Sequence, residues 1–117
     1  MQTHKDLEIW KRGMKLVKDI YKLTSTFPKE ENYGLSSQMR RAAVSIPSNI
    51  AEGAARGHEK EYIRFLYIAL GSLAELETQL LISVDLEYCQ HSEIESDLEV
   101  LRKMLLNFIK YRKGILR

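Results

Sequence analysis

Four stretches of this chain place apolar residues three and four positions apart, and none alternates apolar with polar, so the pattern specifies helices that pack along a face. In the first, over residues 6–24, Leu7, Trp10, Met14, Val17, Tyr21 and Thr24 form a bundle-type seam, with Thr3 or His4 as the cap. A second stripe, Ile9, Leu16, Ile20 and Leu23, runs beside it. With Gly13 the two stripes span roughly 200° of the helix, about twice what one core face needs. The surplus predicts a second apolar contact. The polar remainder carries Lys11, Lys15, Lys18 and Lys22 in one basic line.

Phe27-Pro28 and the KEENYG run spell a loop that Gly34 ends. Helix two follows from Leu35 or Ser36 through Met39, Ala42, Ala43, Ile46 and Ile50, and Gly57 closes it. Pro47 withdraws a donor from the Ala43 carbonyl, which predicts a kink or a break there. Helix three runs from about residue 58 to Leu86, with Tyr62, Leu66, Ala69, Leu73, Leu76 and Leu80 as its seam. Phe65, Ile68, Leu70, Leu81, Ile82 and Leu86 occupy its other faces. A helix apolar nearly all round is covered nearly all round, and a four-helix domain has no central member, so self-association is expected. Beyond a loop at residues 87–91, Ser92 caps helix four with Glu95 at the capping-box position, and Ile94, Leu98, Leu101, Leu105 and Phe108 form the last seam. The expected architecture is a single all-α domain over residues 1–117, an antiparallel up-down four-helix bundle with helix two kinked at Pro47.

Residues 65–84 have the length of a membrane span, but Glu75 and Glu77 at their centre each oppose insertion by at least about 2.5 kcal/mol. No membrane partner is expected. Cys89, the single cysteine, has no intrachain disulfide partner, and the charged start MQTHKDLEIWKRG lacks a continuous apolar stretch, so the cytoplasm is the expected compartment. The net charge of +2 conceals a segregation: residues 1–64 hold 12 Lys/Arg and 8 Asp/Glu, residues 65–101 hold none and 8, and residues 102–117 hold 6 and none. Such polarity shapes partner choice more than fold.

Catalytic and metal chemistry find little to work with. None of His4, His58 and His91 follows a glutamate by three positions, so the Glu-x-x-His pairs of a di-iron bundle are missing. Cys89 and His91 are too few for zinc, and the chain has neither a phosphate-binding glycine loop nor a G-x-S-x-G elbow. The expectation is a protein that is not an enzyme, with no cofactor, metal or small-molecule substrate. Basic residues are the constellation with promise. Besides the helix-one lysines, Lys110, Arg112, Lys113 and Arg117 crowd the C-terminus, and clusters of this kind attract phosphate backbones.

Residues 38–81, QMRRAAVSIPSNIAEGAARGHEKEYIRFLYIALGSLAELETQLL, closely resemble the four-helix-bundle proteins encoded by intervening sequences inside bacterial large-subunit ribosomal RNA genes. The phrase RRAAVSIPSNIAEG followed by RFLYIALGSLAELE carries the resemblance, and the flanking helices extend it over nearly the whole chain. Related members are accessory proteins of diversity-generating retroelements, pentameric barrels that bind nucleic acid, so the resemblance implies a homopentamer and an association with ribosomal RNA or other nucleic acid. The family pattern falls on Arg40, Arg41, Pro47, Asn49, Glu52 and Gly53 in helix two and on Gly71, Ser72 and Glu75 in helix three. Most read as packing. Gly71 and Ser72 admit a neighbour, Asn49 and Glu52 satisfy backbone groups freed by Pro47, and Arg40 or Arg41 either pairs with Glu75 or faces a polyanion.

Two functions follow as expectations. The first is a homo-oligomeric accessory protein that binds RNA or DNA through Lys11, Lys15, Lys18, Lys22, Lys110, Arg112, Lys113 and Arg117 rather than through the motif arginines. The second is a scaffold whose apolar faces serve only self-assembly or a protein partner.

Overall fold

The computed structural model describes residues 2–116. Four helices fill it: α1 (Glu8–Thr24), α2 (Leu35–Ala55), α3 (Glu59–Asp85) and α4 (Glu93–Ile115), with short 3-10 turns at His4–Asp6 and Lys29–Glu31 and no strand among the described residues. They pack into a rod of 48 × 21 × 21 Å. The core runs its length, through Ile20, Met39, Ile46, Ile50, Leu66, Leu73, Leu76, Leu80, Leu98, Leu101 and Leu105. Each such side chain contributes roughly 1.5–3 kcal/mol by leaving water.

The helix ends follow from local chemistry. Thr3 caps the first turn, its hydroxyl accepting from the Lys5 N–H while Asp6 accepts from Thr3. Gly57 takes a positive φ of 77° in the short α2–α3 connection, a conformation that suits glycine. Ser92 caps α4 by accepting from the Ile94 N–H, but no capping box forms, because the Glu95 carboxylate bonds His91 Nδ1 instead. In the connections, the Tyr88 hydroxyl donates to Glu31 at 2.8 Å and the Tyr88 ring lies 5.4 Å from that of Phe27, tying the α1–α2 loop to the α3–α4 loop.

The buried side of α1 differs from the expected seam. Ile9, Gly13, Leu16, Ile20 and Thr24 are buried, whereas Met14 and Tyr21 are 46% and 45% exposed. A Cβ on Gly13 would lie 3.4 Å from Pro47, ordinary contact, so α1 meets α2 at the proline through the face that carries Ile9, Leu16 and Ile20. On α2 the helix is unsplit across Pro47. Asn49 donates to the Ser45 carbonyl and hydroxyl, both at 2.8 Å, and Glu52 pairs with Arg56, so neither serves the Ala43 carbonyl.

Helix α3 buries Leu66, Ala69, Leu73, Leu76 and Leu80 as the spacing predicts. It has the length and hydropathy of a membrane span. Tyr67, Ile68, Leu81, Ile82 and Leu86 remain exposed. α2 and α3 approach closely at Gly53, where an added Cβ would come within 2.9 Å of Phe65 Cβ and 3.2 Å of the Tyr62 carbonyl oxygen.

Candidate nucleic-acid interface

The helix-one lysines occupy the solvent pole of α1. Lys11, Lys15, Lys18 and Lys22 are all exposed, opposite the Ile9–Leu16–Ile20 stripe. Their charges are unequally available. Lys11 Nζ lies 3.7 Å from Glu8, and Lys15 Nζ lies 2.9 Å from Asp19 and 3.5 Å from Asp97 of α4. The hydrogen bond that Lys15 donates to Asp19, followed by the Asp19 and Asp97 charges, holds the Lys15 ammonium above its ordinary pKa. Lys18 and Lys22 form no ion pair with the described residues, so they are the freer half of the line.

The C-terminal cluster divides differently. Lys110 is exposed. Arg112 is committed to the fold: it forms a two-pronged pair with Glu59, at 2.8 Å for Nη2, and stacks 4.5 Å over the Tyr62 ring, with both charged side chains about four-fifths buried. That corrects its reading as a surface cation. Lys113 Nζ sits 5.0 Å from the Tyr67 ring, and Arg117 lies outside the described residues. Nor do Lys15 and Lys110 adjoin. Lys15 meets Asp97, and Lys110 follows thirteen residues later on α4, roughly 20 Å further at 1.5 Å per residue.

The motif arginines take neither simple form. Arg40 Nε donates to Thr24 Oγ1 at 2.8 Å and its guanidinium lies 4.7 Å over the Tyr21 ring, which fixes it to α1. Arg41 and Glu75 are both exposed, on different helices, so the intrachain clamp between them is not made. Arg40, Arg41, Tyr21, Ser37, Ser48 and Asn49 surround an open cavity of about 580 Å³. Beside it a groove of about 290 Å³ between α1 and α2 is lined by Trp10, Met14, Val17, Val44, Pro47 and Ala51. This groove holds the surplus half of the α1 apolar sector. The signal for it was the sector width, which does not say which half faces inward.

Gly71 admits no neighbour within the chain, since a Cβ there would meet nothing within 4 Å, while Ser72 shares a 2.8 Å hydrogen bond with Ser45 across α2 and α3. Burial, and then the Glu95 charge, push the Cys89 thiol upward, away from the reactive thiolate. Among the described residues no three His, Cys, Asp or Glu gather where a metal ion would sit.

Fold and surface together define a class: a small all-helical bundle with a basic helix pole, an open apolar groove and an exposed apolar helix face. More particularly, the chain belongs to the family of 23S rRNA-intervening sequence proteins, whose sequence model matches residues 5–107. A solved structure of a protein with unknown function from the S23 ribosomal protein family, from Bacteroides thetaiotaomicron VPI-5482, superposes with a TM-score of 0.80 at 25% identity, covering 87% of this chain and 95% of that one. No curated protein matches the chain.

Proposed function

We propose that this protein is a non-enzymatic, cytoplasmic homo-oligomer, a pentamer by its family resemblance, that binds RNA through the basic pole of α1. The observation that carries the reading is the exposed lysine line, with Lys18 and Lys22 free of ion pairs among the described residues. Lys110 and Lys113 supply a second patch, and assembly repeats both around the oligomer, raising avidity. Phosphates are contacted without base readout. The bundle runs up-down and antiparallel, a reading supported by the contacts Gly13 with Pro47, Thr24 with Arg40, Ser45 with Ser72 and Glu59 with Arg112. α2 bends at Pro47, where the ring opposes the Ala43 carbonyl.

The test is a salt titration of binding to single-stranded RNA, with a DNA of the same length alongside. Replacing Lys18 and Lys22 with glutamine is expected to weaken binding and to reduce the slope of log K against log salt by about 1.4, at ~0.7 per phosphate contact. Wild-type protein that binds neither nucleic acid in a salt-sensitive way refutes the reading. The scaffold alternative then stands, favoured by the exposed Tyr67, Ile68, Leu81 and Ile82 on α3.

A further inference from the structure

Two apolar surfaces lie uncovered in the chain, and their shapes are opposite. The groove between α1 and α2 is concave and lined by Trp10, Met14, Val17, Val44, Pro47 and Ala51. The outer face of α3 is convex. Tyr67, Ala74 and Leu81 recur there at intervals of seven, and so do Ile68, Glu75 and Ile82, so one stripe keeps the same direction over the helix, as a coiled-coil seam does. Tyr67, Ile68, Leu81 and Ile82 are 44%, 39%, 48% and 42% exposed. At the middle of this ridge the side chains are small: Gly71 has open space around it, and Ala74 is exposed.

Charge selects which surfaces meet. Glu75 sits exposed in the ridge, on a segment, residues 65–101, that contains no lysine or arginine. Arg41 sits exposed in the adjoining cavity, one helical turn before Val44, which lines both the cavity and the groove. Packing two ridges together about their middle brings the two Glu75 carboxylates to the crossing. The cations near that face lie toward its Tyr67 end: Lys113 Nζ is 5.0 Å from the Tyr67 ring, and Arg64 is held 2.9 Å from Glu61 and 4.6 Å over the Phe65 ring. Packing ridge into groove instead gives each exposed charge an opposite partner and covers both apolar surfaces at once.

We infer that the α3 ridge of one subunit seats in the α1–α2 groove of the next, with Glu75 meeting Arg41 across the contact. The inference rests on the oligomeric reading above and gives it a geometry. Because the two surfaces differ, the contact is head-to-tail, and head-to-tail contacts generate rings, including rings of odd number, which a two-fold contact alone does not. The lysine pole of α1 stays outside the contact and available to RNA.

Light scattering during size-exclusion chromatography at micromolar concentration reads the mass against the 13.6 kDa chain. Arg41→Glu and Glu75→Arg are each expected to weaken association by at least about tenfold, and the double variant Arg41→Glu/Glu75→Arg to restore it. Ile82→Gln, which leaves the charges alone, is expected to weaken association too. All three positions are exposed, and circular dichroism verifies that helicity is kept. An oligomer that survives both single charge reversals overturns the ridge-and-groove contact, and so does a double variant that fails to reassemble. An oligomer sensitive to Glu75→Arg but indifferent to Arg41→Glu assigns the contact to paired α3 ridges instead. A wild-type monomer removes the oligomeric reading itself.

Discussion

Gly53 and Gly13 are both buried helical glycines, and the same substitution at the two is expected to move stability in opposite directions. At Gly53 an alanine Cβ would fall 2.9 Å from Phe65 Cβ and 3.2 Å from both Tyr62 Cδ1 and the Tyr62 carbonyl oxygen. Two of those atoms belong to or adjoin the α3 backbone, so relief requires the helices to separate. Overpacking of this kind costs about 1–3 kcal/mol. The gain in helix propensity is below its full value of ~1 kcal/mol because Gly53 lies in the last turn of α2, leaving a net loss of about 1–2 kcal/mol. With an unfolding entropy of about 2.1 cal/mol/K per residue, a chain of 117 residues loses roughly 4 °C of Tm per kcal/mol, so Gly53→Ala should melt about 4–8 °C early. At Gly13 the new Cβ would meet Pro47 at 3.4 Å and Ile46 at 3.5 Å, ordinary contact, and the site is mid-helix. Gly13→Ala should therefore gain about 0.5–1 kcal/mol, or roughly 2–4 °C. Differential scanning calorimetry of both variants at one protein concentration checks the pair. If Gly53→Ala melts with or above the wild type, the close approach of α2 and α3 is not what the glycine serves.

Arg112→Ala is expected to lose about 2–3 kcal/mol in a denaturant titration, since it strands a largely buried Glu59 and uncovers the Tyr62 ring, and Arg112→Lys should recover little because an ammonium cannot make the two-pronged pair. The Glu31 carboxyl is held below its ordinary value of 4.5 first by the Leu35 N–H and then by the Tyr88 hydroxyl. A depressed folded-state pKa contributes stability that is present above 4.5 and is lost as pH falls through the folded value, so carbon NMR should place the Glu31 midpoint below 4.5, and Glu31→Gln should remove that part of the acid sensitivity.

The number of helices and the positions of their ends were legible in the spacing and the punctuation, from the Phe27-Pro28 loop to the Ser92 cap. The orientation of α1 was not. An apolar sector of roughly 200° leaves two ways to face the core, and periodicity cannot choose between them. The choice rests on contacts with other helices, such as that of Gly13 with Pro47 more than thirty positions away. Arg112 was misread for a related reason: its partner Glu59 is 53 positions earlier, and composition counts a cation the same way whether it meets water or a carboxylate. The spacing left open whether Arg40 or Arg41 meets Glu75 or a polyanion; Arg40 turns to Thr24 and Tyr21, and the helix faces that Arg41 and Glu75 occupy leave both exposed.

The tie between Arg112 and Glu59 also bears on where this protein can be cut. The family match stops at residue 107, whereas Ile109 is 2% exposed and Arg112 covers the first turn of α3. A fragment trimmed to the matched segment would uncover Tyr62, whose ring packs on Phe108 and Arg112, and leave Glu59 without the counter-charge of Arg112. The stretch by which relatives recognise one another is thus shorter than the stretch that folds, and expression boundaries drawn from the match would amputate the last stabilising turns of α4.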